Sequence, residues 1–266
     1  MYFDSHVHSE ASPDSEMNPR VAIEILQGMG LGVAFTEHVD YAKREDGLNP
    51  LATDRPNFPG VRDFVCDFSK YPKEYEALRS EGGVTLGLEF GLSAAYEPLN
   101  RRLAQEYDYD FILGSMHNVD GFDIYIAGDS GCVRRYLTYA KEMCELNDFF
   151  DAFGHIDYIC RRSKKLTKEF AYSNFPDEFD ALFKVLASRD TALEINTQLF
   201  GQDRARHVIQ EICRQFARNG GRFCTIGSDA HEPHELGQNF NEAKEVAREA
   251  GLRPVYFVKR ERVYCE

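Results

Sequence analysis

Asp4-Ser5-His6-Val7-His8-Ser9 near one end of the chain and Gly227-Ser228-Asp229-Ala230-His231 near the other are the stretches that decide the fold. Tyr2–His8 reads as a strand. On an extended strand residues i and i+2 point to one face, so His6 and His8 can reach the same ion. If the backbone is still extended at Asp229-Ala230-His231, the same geometry puts Asp229 and His231 on one side. Short apolar runs between these ends lead into the same kinds of residue: Thr36-Glu37-His38, Gly87-Leu88-Glu89, Gly114-Ser115-Met116-His117 and Gly154-His155-Ile156-Asp157. Imidazole and carboxylate at the tips of successive strands are donors suited to Zn, Mn or Fe.

The rest of the chain alternates between strand and helix patterns. Strands are predicted over Tyr2–His8, Gly32–His38, Val84–Phe90, Phe111–His117, Ala152–Asp157, Ala192–Thr197 and the start of Arg222–His231, with a last extended piece at Pro254–Val258. Helices are predicted over Pro19–Met29 with Val21, Ile25 and Met29 on one face, Asp63–Ser80 despite Pro72, Tyr96–Tyr107, Cys132–Phe150, Pro176–Arg189, Asp203–Asn219 and Phe240–Ala250. Residues 39–62 are polar and rich in Pro, Asn and Asp, as in a functional loop or lid. Asn118–Gly131 and Arg161–Asn174 read as loops. About seven β-then-α units imply a parallel sheet with helical crossovers. In an open sheet the first strand and the last region can lie far apart, whereas a barrel brings every C-terminal strand end to one mouth. One α/β domain over 1–266, a distorted (β/α)7 TIM-like barrel, is therefore expected.

Composition narrows the function. Of 266 residues, 43% are apolar and 28% charged, which is ordinary for a globular protein. Lys and Arg number 31 against 44 acids, a net charge of −13, so the surface suits no long nucleic acid. A small anionic substrate is compatible, because local metals and a few Arg outweigh the global charge. Seven Cys form no CxxC and read as reduced thiols of a cytoplasmic protein. Met1-Tyr2-Phe3-Asp4 lacks the basic and apolar regions of a signal peptide, and no run approaches the ~18 apolar residues of a membrane span, so no membrane association is expected. The sequence is silent on oligomeric state.

Together the quoted motifs resemble the polymerase-and-histidinol-phosphatase (PHP) superfamily, in order and separation, over essentially the whole chain. Gly114–His117 with Asp120-Gly121, Gly154–Tyr158 and Glu194–Thr197 resemble its histidinol-phosphate phosphatases in particular. The resemblance implies a distorted (β/α)7 barrel, two to three divalent transition metals (Zn, Mn or Fe) and a small phosphorylated substrate, L-histidinol phosphate. It implies one metal on His6, His8, Glu89 and Asp229, a second sharing Glu89 and taking His117 and His155, and a third on Asp14, His38 and His231. Glu16 lies close enough in sequence to compete with Asp14.

A hydroxide bridging two metals is nucleophilic near neutral pH, because a bound metal lowers the pKa of water from ~15.7 to ~7. His6, His8, Glu89, Asp229 and Arg161 are the expected catalytic set. Arg161, just after the His155 strand, stands where the family carries a phosphate-binding Arg, and His117 is expected beside the substrate as well. A second Arg is expected soon after Glu194-Ile195-Asn196-Thr197. Here Gln198-Leu199-Phe200-Gly201 follows instead, and the nearest candidates are Arg204 and Arg206.

Each histidine alone reads better as a hydrogen-bonded core or loop residue; jointly, with acids at strand ends, ligation is the better account. Glu89 sits in an apolar strand, where an unpaired charge is costly. Glu37 reads as a group orienting a ligand imidazole or as an exposed acid, and Asp4 as a supporting group or a strand-start polar residue. Ser115, Asp157, Glu194 and Asn196 read as supporting hydrogen-bonders, His207 and His234 as surface residues, and Phe122 and Tyr125 as candidate substrate contacts. Two other functions fit the residues: a phosphoesterase of the same family acting on another small ester or nucleotide, and a non-catalytic metal-binding regulatory module.

Overall fold

The apolar runs of the sequence become strands that pair side by side in the computed structural model, which describes residues 1–41, 64–119, 122–123, 132–161, 164–202 and 204–266. The strands are β1 (Tyr2–Val7), β2 (Leu31–Asp40), a two-residue β3 (Phe64–Val65), β4 (Val84–Gly91), β5 (Phe111–Ser115), the small hairpin of β6 (Asn118–Val119) and β7 (Phe122–Asp123), β8 (Ala152–Phe153), β9 (Ala192–Asn196), β10 (Phe223–Gly227), β11 (Arg253–Val258) and β12 (Glu261–Tyr264). The helices are α1 (Pro19–Gly28), α2 (Glu76–Arg79), α3 (Glu97–Leu103), α4 (Cys132–Leu146), α5 (Lys164–Glu169), α6 (Pro176–Ser188), α7 (Ala205–Arg218) and α8 (Phe240–Ala250). No helix among the described residues is long and apolar enough to cross a membrane.

Eight of the described strands pair in parallel in the order β1, β2, β4, β5, β8, β9, β10, β11, as helical crossovers require. The ladder is not continuous between β10 and β1. At their C-terminal ends these two strands meet: Val7 and Ala230 form a parallel bridge, His8 N–H bonds the Ala230 carbonyl at 2.9 Å, and Asp229 N–H bonds the His6 carbonyl at 2.8 Å. The first strand and the last region thus share one mouth, which is the distorted α/β barrel expected of the sequence.

β1 carries an extra residue. Asp4 lies opposite Val33 and Val7 opposite Phe35, so three steps along β1 match two along β2. Val7, Val33 and Phe35 all belong to the main apolar layer between strands and helices. The bulge therefore puts Asp4 on the outer face and frees His6 and His8 to face the mouth, the kind of re-aiming that bulges provide beside functional sites.

Ala34, Phe111, Leu113, Ala152, Ala192, Phe223, Val255 and Phe257 form a separate apolar cluster inside the ring of strands. The β11–β12 hairpin crosses the floor beneath it: Phe257 stacks on Phe111 at 5.2 Å, and Tyr256 on Phe3 at 4.0 Å. Asp110 accepts the backbone N–H of Lys259, and Arg260 bonds Asp151 and the Phe149 carbonyl. β12 was not expected; it is short and largely exposed, so it carries little apolar signal.

Several predicted features are corrected; the expected loops Asn118–Gly131 and Arg161–Asn174 carry β6 with β7 and α5 respectively, and two helices differ. Over the described part of 63–80 the chain forms β3, turns, a 3-10 turn at Lys73–Tyr75 and the one-turn α2 rather than a long helix. Pro72 has no N–H to give a helix and its ring clashes with the preceding turn, while the Tyr71 hydroxyl anchors to the Gly87 carbonyl at 2.6 Å. In α1, capped by Asn18, the buried residues are Pro19, Ala22, Ile23 and Leu26, whereas Val21 and Met29 are exposed. The helix is rotated because the tighter-packed stripe through Ala22 and Leu26 faces the sheet. Residues 42–62, most of the expected lid, lie outside the described residues, and Val39 and Asp40 belong to β2.

Candidate metal centre

Six imidazoles and three carboxylates converge at the mouth. His6 and His8 come from the end of β1, His38 from β2, Glu89 from β4, and His117 and His155 from just beyond β5 and β8. Asp229 and His231 follow β10, and Asp14 lies in the turn after β1. Apart from Asp14 and His231, which are partly exposed, all are buried. Their donor atoms gather in four groups, His6/His8/Glu89, His6/His155/Asp229, Glu89/His117/His155 and His8/His38/His231, each within 4.8 Å.

Glu89 sits at the centre. One oxygen is 2.7 Å from His155 Nε2 and 3.2 Å from His117 Nε2, and the other is 2.8 Å from His38 Nδ1. Burial works against its charge, yet His117, His6 and His38 hold its pKa well below the ordinary range. Asp229 Oδ1 is 3.4 Å from His6 Nε2 and 3.3 Å from His8 Nε2. Burial raises the Asp229 pKa, but Arg161 and His6 overcome it and hold the group well below the usual value. Asp14 Oδ2 lies 3.3 Å from His38 and 3.1 Å from His231, while Glu16 is exposed.

The donors fit divalent transition ions for a specific reason. The Glu194 carboxylate faces Nδ1 of His6 at 2.8 Å, the Asp40 carboxylate faces Nδ1 of His117 at 3.0 Å, and the Asp229 carbonyl faces Nδ1 of His231 at 3.0 Å. Acceptors at those positions assign the ring proton to Nδ1 and leave Nε2 as a bare lone pair. The Nε2 atoms then meet tip to tip: His6 and His8 at 3.0 Å, His117 and His155 at 3.3 Å, His38 and His231 at 3.4 Å. Donors about 2.1 Å from a tetrahedral ion stand roughly 3.4 Å apart.

Local backbone features make this packing possible. β10 ends at Gly227, and Asp229 has φ 56°, a left-handed conformation that Asp tolerates better than most residues. The extended reading of Asp229-Ala230-His231 is thus corrected: the turn sends Asp229 toward His6 and His8, and His231 toward Asp14 and His38. At Gly227 a Cβ would come within 2.4 Å of Glu194 Oε1 and 2.5 Å of His6 Cβ, so only glycine fits there.

The supporting groups are now placed. Asp4 is buried and accepts Ser228 N–H at 2.8 Å, Ser228 Oγ–H at 2.6 Å and Gly237 N–H at 3.0 Å, clamping the segment that carries Asp229 and His231. Burial pushes its pKa up to about 6 against those three donors. Glu194 also accepts His155 N–H at 2.6 Å and the Asn196 amide at 3.2 Å. Glu37 is buried rather than exposed, and its carboxylate accepts from Ser9 and Ser12. Asp157 is buried, and Ser115 adjoins Gly154. Asp40 went unnoticed in the sequence; its place two residues after His38 on one strand was the available signal.

Arg161 bonds the Asp229 carboxylate and lies over the Tyr158 ring, 4.7 Å from its centroid, at the edge of the cluster. Arg204 is not brought there: it is exposed and lines a separate surface cleft of about 580 Å³ with Tyr172, His207 and Glu211. Arg206 is partly exposed on α7, and His234 is 75% exposed. Tyr125, Asp120, Gly121 and Arg162 lie outside the described residues, as does the side chain of Phe122.

Comparison with known proteins gives a consistent result. The family model of the PHP domain matches residues 4–198, leaving Asp229 and His231 beyond the matched stretch. A Clostridium acetobutylicum protein named a probable histidinol-phosphatase is 34% identical over 266 aligned residues, covering 98% of both chains. The histidinol-phosphatase of Lactococcus lactis is 26% identical, covering 94% of this chain and 91% of its own length. A crystal structure of Lactococcus lactis histidinol phosphate phosphatase with zinc, L-histidinol and phosphate matches at a TM-score of 0.84 and 23% identity, over 98% of both chains. At that identity the likeness is one of fold.

Proposed function

The chain belongs to the PHP domain family, and on that premise we propose that it is a metal-dependent phosphomonoesterase that hydrolyses L-histidinol phosphate to L-histidinol and phosphate. The observation that carries this is the set of ring nitrogens meeting tip to tip around Glu89 and Asp229, an arrangement that calls for cations. The substrate is taken from the relatives, named for this reaction over nearly their whole lengths. A role in histidine biosynthesis goes with that substrate. The seven cysteines are all free thiols, in keeping with a cytoplasmic location.

Two to three divalent ions, drawn from Zn, Mn or Fe, are proposed to occupy the mouth. His6, His8, Glu89 and Asp229 would hold one, Glu89, His117 and His155 a second, and Asp14, His38 and His231 a third. Such ions supply Lewis acidity toward phosphoryl oxygens and activate water near neutral pH.

The chain's own groups do the rest. Arg161 offers a planar fork of five N–H donors, more than its contact with Asp229 uses, and so can hold a phosphoryl group as charge develops on it. Glu194 and Asp40 keep the protons of His6 and His117 on Nδ1, so the other nitrogen faces the reaction. Burial keeps these charges in a low-dielectric pocket, where they act more strongly than in water.

The test is phosphate release from L-histidinol phosphate beside a panel of other monoesters and a diester, with Mn, Zn or Fe supplied and chelator as control. Activity confined to histidinol phosphate and lost with chelator is expected. Weak turnover spread over many esters overturns the substrate, and no turnover with metal bound overturns the enzyme.

A further inference from the structure

Glu37 is fully buried one residue before His38, yet it touches none of the ligand atoms. Ser9 donates to it from its backbone N–H at 3.2 Å and from its hydroxyl at 2.5 Å, and the Ser12 hydroxyl approaches its other oxygen at 2.5 Å. Three donors and no facing acceptor suit an ionised carboxylate. The Tyr75 hydroxyl, 2.8 Å from Ser9 Oγ, donates in turn to that oxygen, whose own proton is committed.

Ser12 is the informative member. A hydroxyl has one proton and two lone pairs. Its proton goes to Glu37, so any further hydrogen bond it makes is made as an acceptor. Its lone pairs face the backbone N–H of His38 at 3.0 Å and Nδ1 of His8 at 3.3 Å. The direction of every hydrogen bond in the chain is thereby fixed, and the proton of His8 belongs on Nδ1. We infer that Glu37, acting through Ser12, is a positioning residue that sets the tautomer of His8 and the backbone placement of His38, so that His8 Nε2 faces the mouth as a lone pair. This goes one layer deeper than the proposed metal-dependent reaction and rests on it.

Glu37→Gln tests this with almost no change of shape. The amide oxygen can serve the Ser9 donors, which leaves the NH2 group toward Ser12. Ser12 must then accept from Gln and turn its proton on His8 Nδ1, shifting the His8 proton to Nε2. Ser12→Ala removes the link itself. Metal binding is read by titrating the metal-free protein with Co2+ and following its visible absorption, and the His8 tautomer is read by heteronuclear imidazole NMR.

We expect Glu37→Gln to move the His8 proton and to weaken one of the bound Co2+ ions by about 10- to 100-fold, as loss of a ligand's orienting partner does. We expect Ser12→Ala to weaken the same ion, and the double variant to lose no more than the worse single one, because both act through one contact. Unchanged Co2+ affinity in both variants, or losses that simply add, overturns the inference. If one variant fails to fold, affinity and tautomer in the other decide the matter. An unaltered protein that binds no Co2+ overturns the metal-dependent reaction instead.

Discussion

Glu194 Oε1 stands 2.8 Å from Nδ1 of His6, although 188 residues separate the two in the chain. The contact joins β9 to β1 across the barrel and decides which nitrogen of His6 is free. In Glu194→Gln an amide replaces the acceptor, and either His6 or the His155 N–H loses its partner. The variant is expected to fold, to hold metal roughly 10- to 100-fold more weakly and to lose kcat/KM in proportion. Chelator competition against the unaltered protein measures this, and equal resistance to chelator counts against an orienting role.

Gly227→Ala tests the close approach beneath that pair. The added Cβ collides with Glu194 and the base of His6, both fully buried with nowhere to retreat. A misplacement of this kind costs on the order of 100-fold in turnover, and the strain costs about 1–3 kcal/mol of stability. Phosphate release and urea unfolding read the two effects; a variant as active and as stable as the original means the strands part more easily than the geometry indicates.

Arg161→Lys separates charge from shape. Lysine keeps the positive charge near Asp229 but loses the planar fork. Metal content by elemental analysis should be unchanged, while kcat/KM on histidinol phosphate falls on the order of 100-fold. Full activity in this variant removes Arg161 from the phosphate site.

Without metal, protons occupy the cluster. Burial opposes charging His38, but Asp14 and Glu89 outweigh it and push its pKa up to about 10; Glu89 and Asp40 do the same for His117, to about 9. Both groups titrate near 6.5 when unfolded. Above that pH the folded chain holds more protons than the unfolded one, so their stabilisation is complete below 6.5 and is lost as pH rises through 9 to 10. His117 accounts for on the order of 3 kcal/mol of this. Chelator-treated protein should therefore melt at progressively lower temperature from pH 7 to pH 10, and a melting temperature that rises over that range contradicts the assignment.

Phe257→Ala probes the floor rather than the mouth. Its ring fills the interior apolar cluster against Phe111, so truncation should cost about 3–5 kcal/mol in denaturant unfolding. Metal content of the folded fraction should be unaltered. A cost under about 1 kcal/mol means the hairpin is not an integral floor.

Much of this was legible in residues 1–266 read as a string. Apolar runs alternating with helical patterns specify a parallel sheet wherever the chain is described, because the period of apolar residues follows from backbone geometry alone. The His6-Val7-His8 spacing and the acids at strand ends marked the mouth, since imidazoles and carboxylates repeated at the ends of several apolar runs are jointly better explained by ligation, although each alone is not. Aromatic spacing misled over 63–80, where Tyr71 and Tyr75 repeat at helical spacing but Pro72 breaks the helix and the described segment forms β3, turns and the short α2. α1 misled because Val21, Ile25 and Met29 are as apolar as the stripe that is actually buried.

The sequence by itself determined the alternating strands and helices, the parallel sheet and which side chains are available as donors, because these depend on local periodicity and residue chemistry. Tertiary structure alone decided which nitrogen each imidazole presents and which carboxylate stands behind it. It also fixed the left-handed turn that aims Asp229, the outward swing of Asp4 by the β1 bulge, and the exclusion of Arg204 from the cluster. Those outcomes depend on contacts such as Glu194 with His6 and Asp40 with His117. Hydrogen-bond direction is set across gaps of a few ångströms between residues far apart in the chain, and no local pattern of sequence encodes that distance.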